Sequence, residues 1–413
     1  MNTIKFIASS CLIVAAACNF YAEGCTSAII SGRVTADGRP MMWKNRDTSN
    51  LNNCVRYMEG EKYGFIAVTS YVKNPKSIWI GTNETGFSIM NTLSYNLNEE
   101  DGPKGNKNGS MMCRALGICK TVEDFKNYLD TIPRPILASA NYGVIDAEGH
   151  AGYFETGNNG YTFYDIDDRN VAPHGYMVRS NFSVSGRFDE GGGYLRYQQA
   201  DKNIFNASGA REITPQWVFT NLSRSFENPL MGIDLRSGML NRPNANGWTT
   251  EQDFIARKSS SCAVVIHGVK PGENPAHTVM WTSIGYPPVS PFVPLWVAGA
   301  KSKLPRVVYT ETEKGAISPL CDAASKLRNK VYNYRRGNNV DNYFNWELLH
   351  NNAGTGYMQK TEALESELFN GTYRAVDRIR SSENPDIKAI HKLYDETDDE
   401  ISRHFDRNFN MQL

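Results

Sequence analysis

The residues with the clearest chemical potential lie near the start of the chain, where a cysteine follows a leader-like segment. Lys5 precedes the apolar run 6–17, which is the layout of a secretory signal peptide, and such a segment is removed on export. The small residues of Ala22-Glu23-Gly24 predict a cut directly before Cys25. A cysteine freed there carries a thiol and an α-amine, whose ordinary pKa of about 7.7 to 8.0 lets it accept the thiol proton. Residues 1–24 are therefore predicted to be a signal peptide, and Cys25 an N-terminal nucleophile.

Two other interpretations of this region stay open. Ala15-Ala16-Ala17-Cys18 is a rival lipid-attachment sequence, and cleavage there would leave Cys25 internal. Cys25 is also compatible with an inert buried cysteine, which is the usual state of a free thiol. In either case we expect an exported protein in the periplasm or outside the cell, and a lipid on Cys18 would anchor it to the envelope.

The segments after Cys25 predict a hairpin that delivers charges to it. Strand-like stretches on either side of Asp37-Gly38 indicate two paired strands, because Asp-Gly supplies the positive φ values that turns need. The second strand ends in Lys44-Asn45-Arg46-Asp47, which antiparallel pairing returns to Cys25. A cation there lowers a thiol pKa, whereas a carboxylate can hold the α-ammonium or orient an amide. An ordinary surface ion pair is the alternative for the tetrapeptide in isolation.

The rest of the chain predicts strands first and helices later. Strand signals continue in short runs to about residue 284, one of them over 77–81, and residues 48–62, 97–109 and 186–196 are predicted loops. A helix over 110–129 is predicted to break near Thr121, and Thr214-Pro215 predicts a helix to about Ser225. From Ser318 the spacing is helical, notably over 357–379 and 387–405. Strands without βαβ alternation favour an α+β fold of antiparallel sheets with outer helices.

Composition excludes several classes of protein. The 413 residues carry 44 Lys plus Arg and 44 Asp plus Glu, so the balanced charge gives no footprint for nucleic-acid binding. At 40% hydrophobic residues the chain can build a large core, and no later stretch is long and apolar enough to span a bilayer. Six of the eight cysteines follow the leader, without a disulfide framework, and the histidines lack metal spacing.

Several motifs occur in an order that resembles a known family. Cys25-Thr26 opening a strand, the Asp37-Gly38 turn and Asn45-x-Asp47 resemble the start of the N-terminal nucleophile hydrolases that cleave linear amide C–N bonds. That group includes choloylglycine hydrolase, penicillin V acylase, isopenicillin N acyltransferase-like proteins, acid-ceramidase-like enzymes and a branch of dipeptidases. Later segments that resemble its pattern are Gly81–Phe87, Asn141–Gly149 with Phe154-Glu155, Arg179–Phe182, Ser185–Arg187 and Val279–Pro294.

The resemblance implies a four-layer αββα sandwich over residues 25–310, with 311–413 as a helical region packed on the same domain. It makes Cys25 both nucleophile and base and Asp47 the carboxylate beside its amine. Asn181 becomes an oxyanion-hole side chain, and Asn91 is the candidate for a second donor. For both asparagines the alternative is a turn or strand-end side chain that bonds its own backbone.

The cations of the site are less well defined. Lys44 stands where choloylglycine hydrolases carry arginine, and Arg46 adds a second cation, so which of them faces the thiol stays open. Arg187 completes a Ser-x-Arg motif and is predicted to be catalytic. The glycines 191–193 loosen the alignment there, so Arg196 is the alternative.

The implied activity is hydrolysis of a linear amide in a small N-acyl substrate or a short peptide, without a cofactor or a metal ion. A dipeptidase or an acyltransferase with the same nucleophile is one rival, and a lipid-anchored binding protein on an inactive fold is another. Bile salts, penicillin V, N-acyl amino acids and dipeptides all stay open as substrates. The charged C-terminal helices are predicted to be a solvated face or a homo-oligomer contact.

Overall fold

The computed structural model describes residues 24–238, 246–313, 315–334 and 343–413. Of the predicted leader only Gly24 falls within these ranges, so the expectations for Cys18 and the apolar run concern residues outside them. Within the described residues the strands, numbered in chain order, are β1 Cys25–Ile30, β2 Met41–Asp47, β3 Asn53–Glu59, β4 Gly64–Ser70, β5 Ile80–Asn83, β6 Ser88–Leu93, β7 Ala140–Ile145, β8 Ala151–Thr156, β9 Tyr161–Asp165, β10 Tyr176–Arg179, β11 Glu227–Asn228, β12 Ile233–Asp234, β13 Trp248–Thr250, β14 Ser260–His267, β15 Val279–Ile284, β16 Phe292–Leu295, β17 Thr310–Thr312, β18 Gly315–Ile317 and β19 Tyr343–Asn345.

Helices lie between and after these strands. They are α1 Asn108–Ile118, α2 Val122–Thr131, α3 Tyr194–Ser208, α4 Pro215–Val218, α5 Val297–Ala300, α6 Pro319–Val331, α7 Trp346–Leu349, α8 Tyr357–Arg380 and α9 Ile387–Phe409. Among the described residues, none of the helices is both long and apolar enough to cross a membrane.

Two antiparallel sheets form the centre of the molecule. The first has the strand order β10-β1-β2-β14-β15-β16, and the second is the meander from β3 to β9. Strands β1, β2 and β14 are buried along their whole length, because one face packs on the second sheet and the other is covered by helices. Helix α1 contacts β4, β5 and β6 on one outer face, while α3 and α6 contact the first sheet on the other. This order of layers confirms the predicted αββα class.

Local chemistry sets the helix ends that the sequence predicts. The Thr121 side chain accepts a hydrogen bond from the backbone N–H of Asp124, whose carboxylate in turn accepts from the Thr121 N–H, so a capping box starts α2. Ser318 caps α6 in the same way, and Pro319 occupies its first position. The break near Thr121 and the change of character at Ser318 are therefore both confirmed.

Three of the predicted elements need correction. Residues 48–62 contain β3 at the edge of the second sheet. The polar Arg56 interrupts the strand pattern in the sequence, but its guanidinium donates to the backbone carbonyls of residues 72 and 73 and so fits within the strand. The strand predicted over 77–81 begins only at Ile80. The helix predicted from Pro215 ends as an α-helix at Val218 and continues as a wider π-helical turn over 219–223.

The C-terminal helices are tied to the first sheet by buried charge. Arg224, just after the π-helical turn, forms a bidentate ion pair with Glu365 of α8, with N–O distances of 2.5 and 2.6 Å. The two side chains are 0% and 4% exposed. Removing either partner would leave the other as an uncompensated buried charge, which typically costs about 3–5 kcal/mol.

Candidate active site at Cys25

Cys25 begins β1, and side chains from two distant segments hold its backbone. Its N–H donates to Oδ1 of Asn181 at 3.2 Å, and its carbonyl accepts from Nη1 of Arg196 at 2.8 Å. The same guanidinium donates to Oδ1 of Asn181 at 2.7 Å and to Oγ1 of Thr26 at 2.9 Å. The residue is only 8% exposed. The nitrogen that would become the α-amine is thus fixed by a hydrogen-bond acceptor.

A small cavity opens at Cys25. Its volume of about 30 Å³ exceeds the roughly 10–15 Å³ that a bound water molecule needs, so it has room for at least one small group. The lining residues are Cys25, Lys44, Arg46, Asp47, Thr48, Trp79, Asn91, Leu93, Asn106 and Asn108. The hairpin therefore brings Lys44, Arg46 and Asp47 to the cysteine as predicted, because Cys25 pairs directly with Arg46 across β1 and β2.

Lys44 orients the side chain of Asn91. Its ammonium donates to Oδ1 of Asn91 at 2.9 Å and to the backbone carbonyl of Trp79 at 2.8 Å, and the residue is 1% exposed. Because the amide oxygen of Asn91 faces Lys44, its NH₂ group must point away from that cation. No hydrogen bond within the described part of the chain uses this NH₂ group, which suits it to donate into the cavity.

Arg46 is held at the other side of the cavity. Its guanidinium donates to Oδ1 of Asn53 at 3.0 Å and to Oγ of Ser261 at 3.1 Å. Its central carbon lies 4.1 Å from the centroid of the Trp79 ring, within cation–π distance. Both Lys44 and Arg46 thus line the cavity at Cys25.

Asp47 is buried at 1% exposure and is fully bonded. Its Oδ2 accepts from Nε of Arg257 at 2.8 Å, and its Oδ1 accepts from Oγ of Ser260 at 2.7 Å. Burial alone would lower the pKa of Arg257, but the charges of Asp47 and Asp253 raise it above its ordinary value. The Asp47 carboxylate thus lies next to the cavity with both of its oxygens bonded within the protein.

The structure separates the two candidate arginines. Arg196 on α3 is 3% exposed and contacts both Cys25 and Asn181. Arg187 instead lies in an exposed loop, where it bonds Glu190 at 2.5 Å and the carbonyl of Asn98 at 2.8 Å. Placing Arg187 at the nucleophile was wrong, because a glutamate three residues later gives it a local partner on the surface.

Asn181 lies at the site with an orientation that differs from the predicted one. Its oxygen accepts from the Cys25 N–H and from Arg196, while its Nδ2 donates to the carbonyl of Leu93 at 2.8 Å. The side chain thus presents an acceptor to the nitrogen of Cys25. This geometry fits positioning of that nitrogen better than donation to an oxyanion.

Sequence reasoning missed Asp253, Arg257 and Ser260, which precede or open β14. Oδ1 of Asp253 accepts from Nε of Arg196 at 2.9 Å and from Nη1 of Arg257 at 2.8 Å. The signal was present in Asp-Phe-Ile-Ala-Arg, where an aspartate and an arginine four residues apart bracket three apolar residues. Nothing in that pattern by itself says which distant strand the charges meet.

The remaining cysteines differ from Cys25 in their surroundings. All six described cysteines are free thiols. Burial raises the pKa of Cys262 to about 12 and that of Cys321 to about 11, so both stay protonated and unreactive near pH 7. Among the residues that the structure describes, no cluster of three or more His, Cys, Asp or Glu side chains could hold a metal ion.

Comparison with known proteins gives likenesses of structure. Neither a protein-family model nor a curated protein matches the chain. Solved structures that are similar to it include penicillin V acylase from Agrobacterium tumefaciens, at 16% identity and a TM-score of 0.39, covering 68% of this chain and 87% of that one. A variant of conjugated bile acid hydrolase from Clostridium perfringens is 11% identical with a TM-score of 0.39, covering 66% and 93%.

The Caenorhabditis elegans ortholog of N-acylethanolamine-hydrolyzing acid amidase is similar at 14% identity and a TM-score of 0.39, covering 59% of this chain and 92% of that one. The candidate chemistry of this chain is therefore argued from the contacts and the cavity around Cys25.

Proposed function

We propose that this protein is an amidase that hydrolyses linear amide C–N bonds through an acyl-enzyme on Cys25. The observation that carries the proposal is the placement of Cys25. Its nitrogen is held by Asn181, and its cavity is lined by two cations, a carboxylate and an oriented amide. In this arrangement Cys25 supplies both the nucleophile and the base, and the cavity beside it offers a place for the reacting carbonyl.

The first step requires an α-amine on Cys25. Once the leader is removed, the neutral amine takes the thiol proton, and the thiolate attacks the amide carbonyl to form a C–S bond. Oδ1 of Asn181 accepts a hydrogen bond from the amine and so aims its lone pair. Lys44 and Arg46 line the cavity and place two positive charges near the attacking sulfur.

Asn91 is the proposed donor to the oxyanion that forms as the carbonyl is attacked. Because Lys44 holds its oxygen, the amide NH₂ is pre-oriented and costs no reorganisation at the moment of reaction. The intermediate then collapses, the C–N bond breaks, and the proton held by the ammonium passes to the leaving nitrogen. Water attacks the thioester, gives its proton to the amine, and the released thiolate recovers that proton.

The cavity offers a place for the reacting carbonyl. A volume of about 30 Å³ exceeds the roughly 10–15 Å³ that a bound water molecule needs, so a carbonyl oxygen fits there. We propose a small N-acyl amide or a short peptide as the substrate.

The residue before Cys25 fits the proposed processing. A Cβ added at Gly24 would lie 2.0 Å from Nη2 of Arg257 and 3.1 Å from Nη2 of Arg196, so a side chain there would push on the site. The proposed cut after Gly24 frees the amine and empties this space. Export through a signal peptide, with the mature chain starting at Cys25, is part of the proposal.

The test combines the mature N-terminus with trapping of the acyl group. The full chain would be expressed with its leader, its N-terminus determined by mass spectrometry, and the protein incubated with penicillin V, a conjugated bile salt, N-acyl amino acids and dipeptides. We expect a mature chain that begins at Cys25 and a substrate-dependent mass increase on that residue. A mature chain in which Cys25 remains internal, together with no hydrolysis of any amide, would overturn the proposal.

A further inference from the structure

We propose that Asp253 is a positioning residue of this site. One of its carboxylate oxygens connects Arg196, which holds Cys25, with Arg257, which holds Asp47. This inference rests on the amidase function proposed above. Oδ1 of Asp253 accepts from Nε of Arg196 at 2.9 Å and from Nη1 of Arg257 at 2.8 Å.

The two arginines reach different parts of the site. Arg196 donates from its other two nitrogens to the carbonyl of Cys25 and to the side chain of Asn181. Arg257 directs its Nε at the carboxylate of Asp47. With Asp253 between them, the backbone of the nucleophile and the carboxylate beside the cavity become two ends of one hydrogen-bonded chain.

The backbone of Asp253 is strained in a way that its neighbours enforce. Its φ of 54° lies in the left-handed region, which costs free energy for every residue except glycine, although asparagine and aspartate adopt it more readily than the others. The following Phe254 and Ile255 are 1% and 0% exposed, and the N–H of Ala256 bonds the carbonyl of Ser225 at 3.1 Å. Strain that the surroundings over-determine in this way is concentrated at functional sites.

Charge balance gives Asp253 a second effect. The guanidinium groups of Arg196 and Arg257 face the carboxylates of Asp253 and Asp47, so these four charges cancel. The further charged groups around the Cys25 nitrogen and thiol are Lys44 and Arg46 from β2, and Glu251 acts on Arg257 from the far side. Neutralising Asp253 therefore adds one net positive charge to the two that Lys44 and Arg46 already contribute near Cys25. Added positive charge disfavours a neighbouring ammonium and favours a thiolate.

Asp253→Asn is the main test, because asparagine tolerates the left-handed backbone but carries no charge. We expect kcat to fall by roughly 10-fold to 100-fold with a smaller change in KM, since the nucleophile loses alignment rather than substrate contacts. We also expect the acidic limb of kcat/KM against pH to move to lower pH by roughly half a unit. A merely structural role would lower the melting temperature without moving this limb.

Two further variants separate charge from backbone strain. Asp253→Gly relieves the strain and removes the carboxylate, so it should fold at least as well as Asp253→Asn and show the same kinetic loss. Asp189→Asn is the matched control, because Asp189 is an exposed aspartate with φ of 59° and it does not line the cavity. The control should keep the wild-type rate and pH profile.

A second measurement follows the alkylation of Cys25 by iodoacetamide with mass spectrometry over a range of pH. Because this measurement needs no substrate, it separates failure of this inference from failure of the proposed function. A wild-type chain that hydrolyses no amide would end the amidase proposal, while a lower alkylation midpoint in Asp253→Asn would still support the positioning role. Wild-type kinetics and an unmoved alkylation midpoint in both folded Asp253 variants would overturn it.

Discussion

The ladder between β2 and β14 carries a group of carboxylates and arginines at each of its two ends. At one end Asp47 pairs with Ser260 in register and bonds Arg257, next to the cavity at Cys25. At the other end Met41 pairs with His267, whose ring meets Asp37. The two groups are similar in composition, so their difference shows what a site needs beyond buried charge.

The far group closes on itself. Nε2 of His267 lies 3.0 Å from Oδ2 of Asp37, and its Nδ1 lies 3.2 Å from Nη1 of Arg380 at the end of α8. Arg39 bridges Asp37 and Glu273 at 2.9 and 2.6 Å. Burial first, and then the charge of Arg380, lower the pKa of His267 to about 4, so its ring is neutral at pH 7.

The two ends therefore differ in what they leave available. The far group contains no nucleophile, and its polar atoms are directed at one another and at the last turn of α8. The near group borders a cavity and holds a cysteine whose nitrogen and carbonyl are both fixed. The far group therefore fastens the end of α8, whereas the near group borders the cavity at which we propose that hydrolysis takes place.

The largest effect should come from Cys25. Replacing it with alanine or serine should lower amide hydrolysis by at least about 1,000-fold while the protein still folds, because the nucleophile is lost at a strand end. Iodoacetamide should label Cys25 before Cys262 and Cys321, whose pKa values are raised by burial. Cys113→Ser is the control, because Cys113 lies in α1, which packs on the second sheet, and this variant should keep full activity. An active alanine variant would place the nucleophile elsewhere.

Asn91→Ala should lower kcat by about 100-fold with little change in the free energy of unfolding, the usual size for one lost oxyanion donor. Asn181→Ala should cause a loss of similar size, because the nitrogen of Cys25 loses its acceptor. Steady-state kinetics and thermal melts measure both effects, with the exposed Asn159→Ala as control. A normal kcat in Asn91→Ala would leave the cavity without its proposed donor.

Asp47→Asn should move the pH profile. A carboxylate beside the α-ammonium stabilises the protonated form, so its removal lowers the amine pKa and shifts the acidic limb of kcat/KM to lower pH. The measurement is kcat/KM against pH on a chromogenic N-acyl amide, for wild type and variant. An unshifted profile at a near-normal rate would make Asp47 a structural ion pair like those of the far group.

The smallest effect on activity should come from His267→Gln, at the far group. The pKa of His267 falls from 6.5 to about 4 on folding, so the unfolded chain binds more protons between these values. Stability from this group is therefore complete above pH 6.5 and is lost as the pH falls toward 4, by on the order of 3 kcal/mol.

The variant should flatten that pH dependence of the melting temperature while hydrolysis at pH 7 stays near the wild-type rate. A large loss of activity at pH 7 from a well-folded His267→Gln protein would erase the proposed division between the two ends.

The parts of the site that the sequence predicts are those set by neighbouring strands. Lys44, Arg46 and Asp47 reach Cys25 because the hairpin register requires it, and the resemblance pointed to Asn91 and Asn181. Helix starts at Thr121 and Ser318 followed from local capping chemistry.

The rest depends on contacts between distant segments. Arg257 meets Asp47 across 210 residues, and no periodicity encodes such a pairing. The prediction for Arg187 was wrong for the opposite reason. It relied on a local motif, and the side chain pairs with Glu190, only three residues away, instead of reaching the site. Even the hairpin differs in detail, because residues 31–40 form a broad connection rather than a tight turn, although Gly38 keeps its positive φ of 77°.

The ion pair of Arg224 with Glu365 also has a consequence for the order in which the chain is made. Its two partners are 141 residues apart, and the ribosome produces Arg224 long before α8 exists. Until then a guanidinium destined for a fully buried position has no counter-charge, so burying it earlier carries the cost of an unpaired charge. The buried pair can form only after synthesis has passed residue 365.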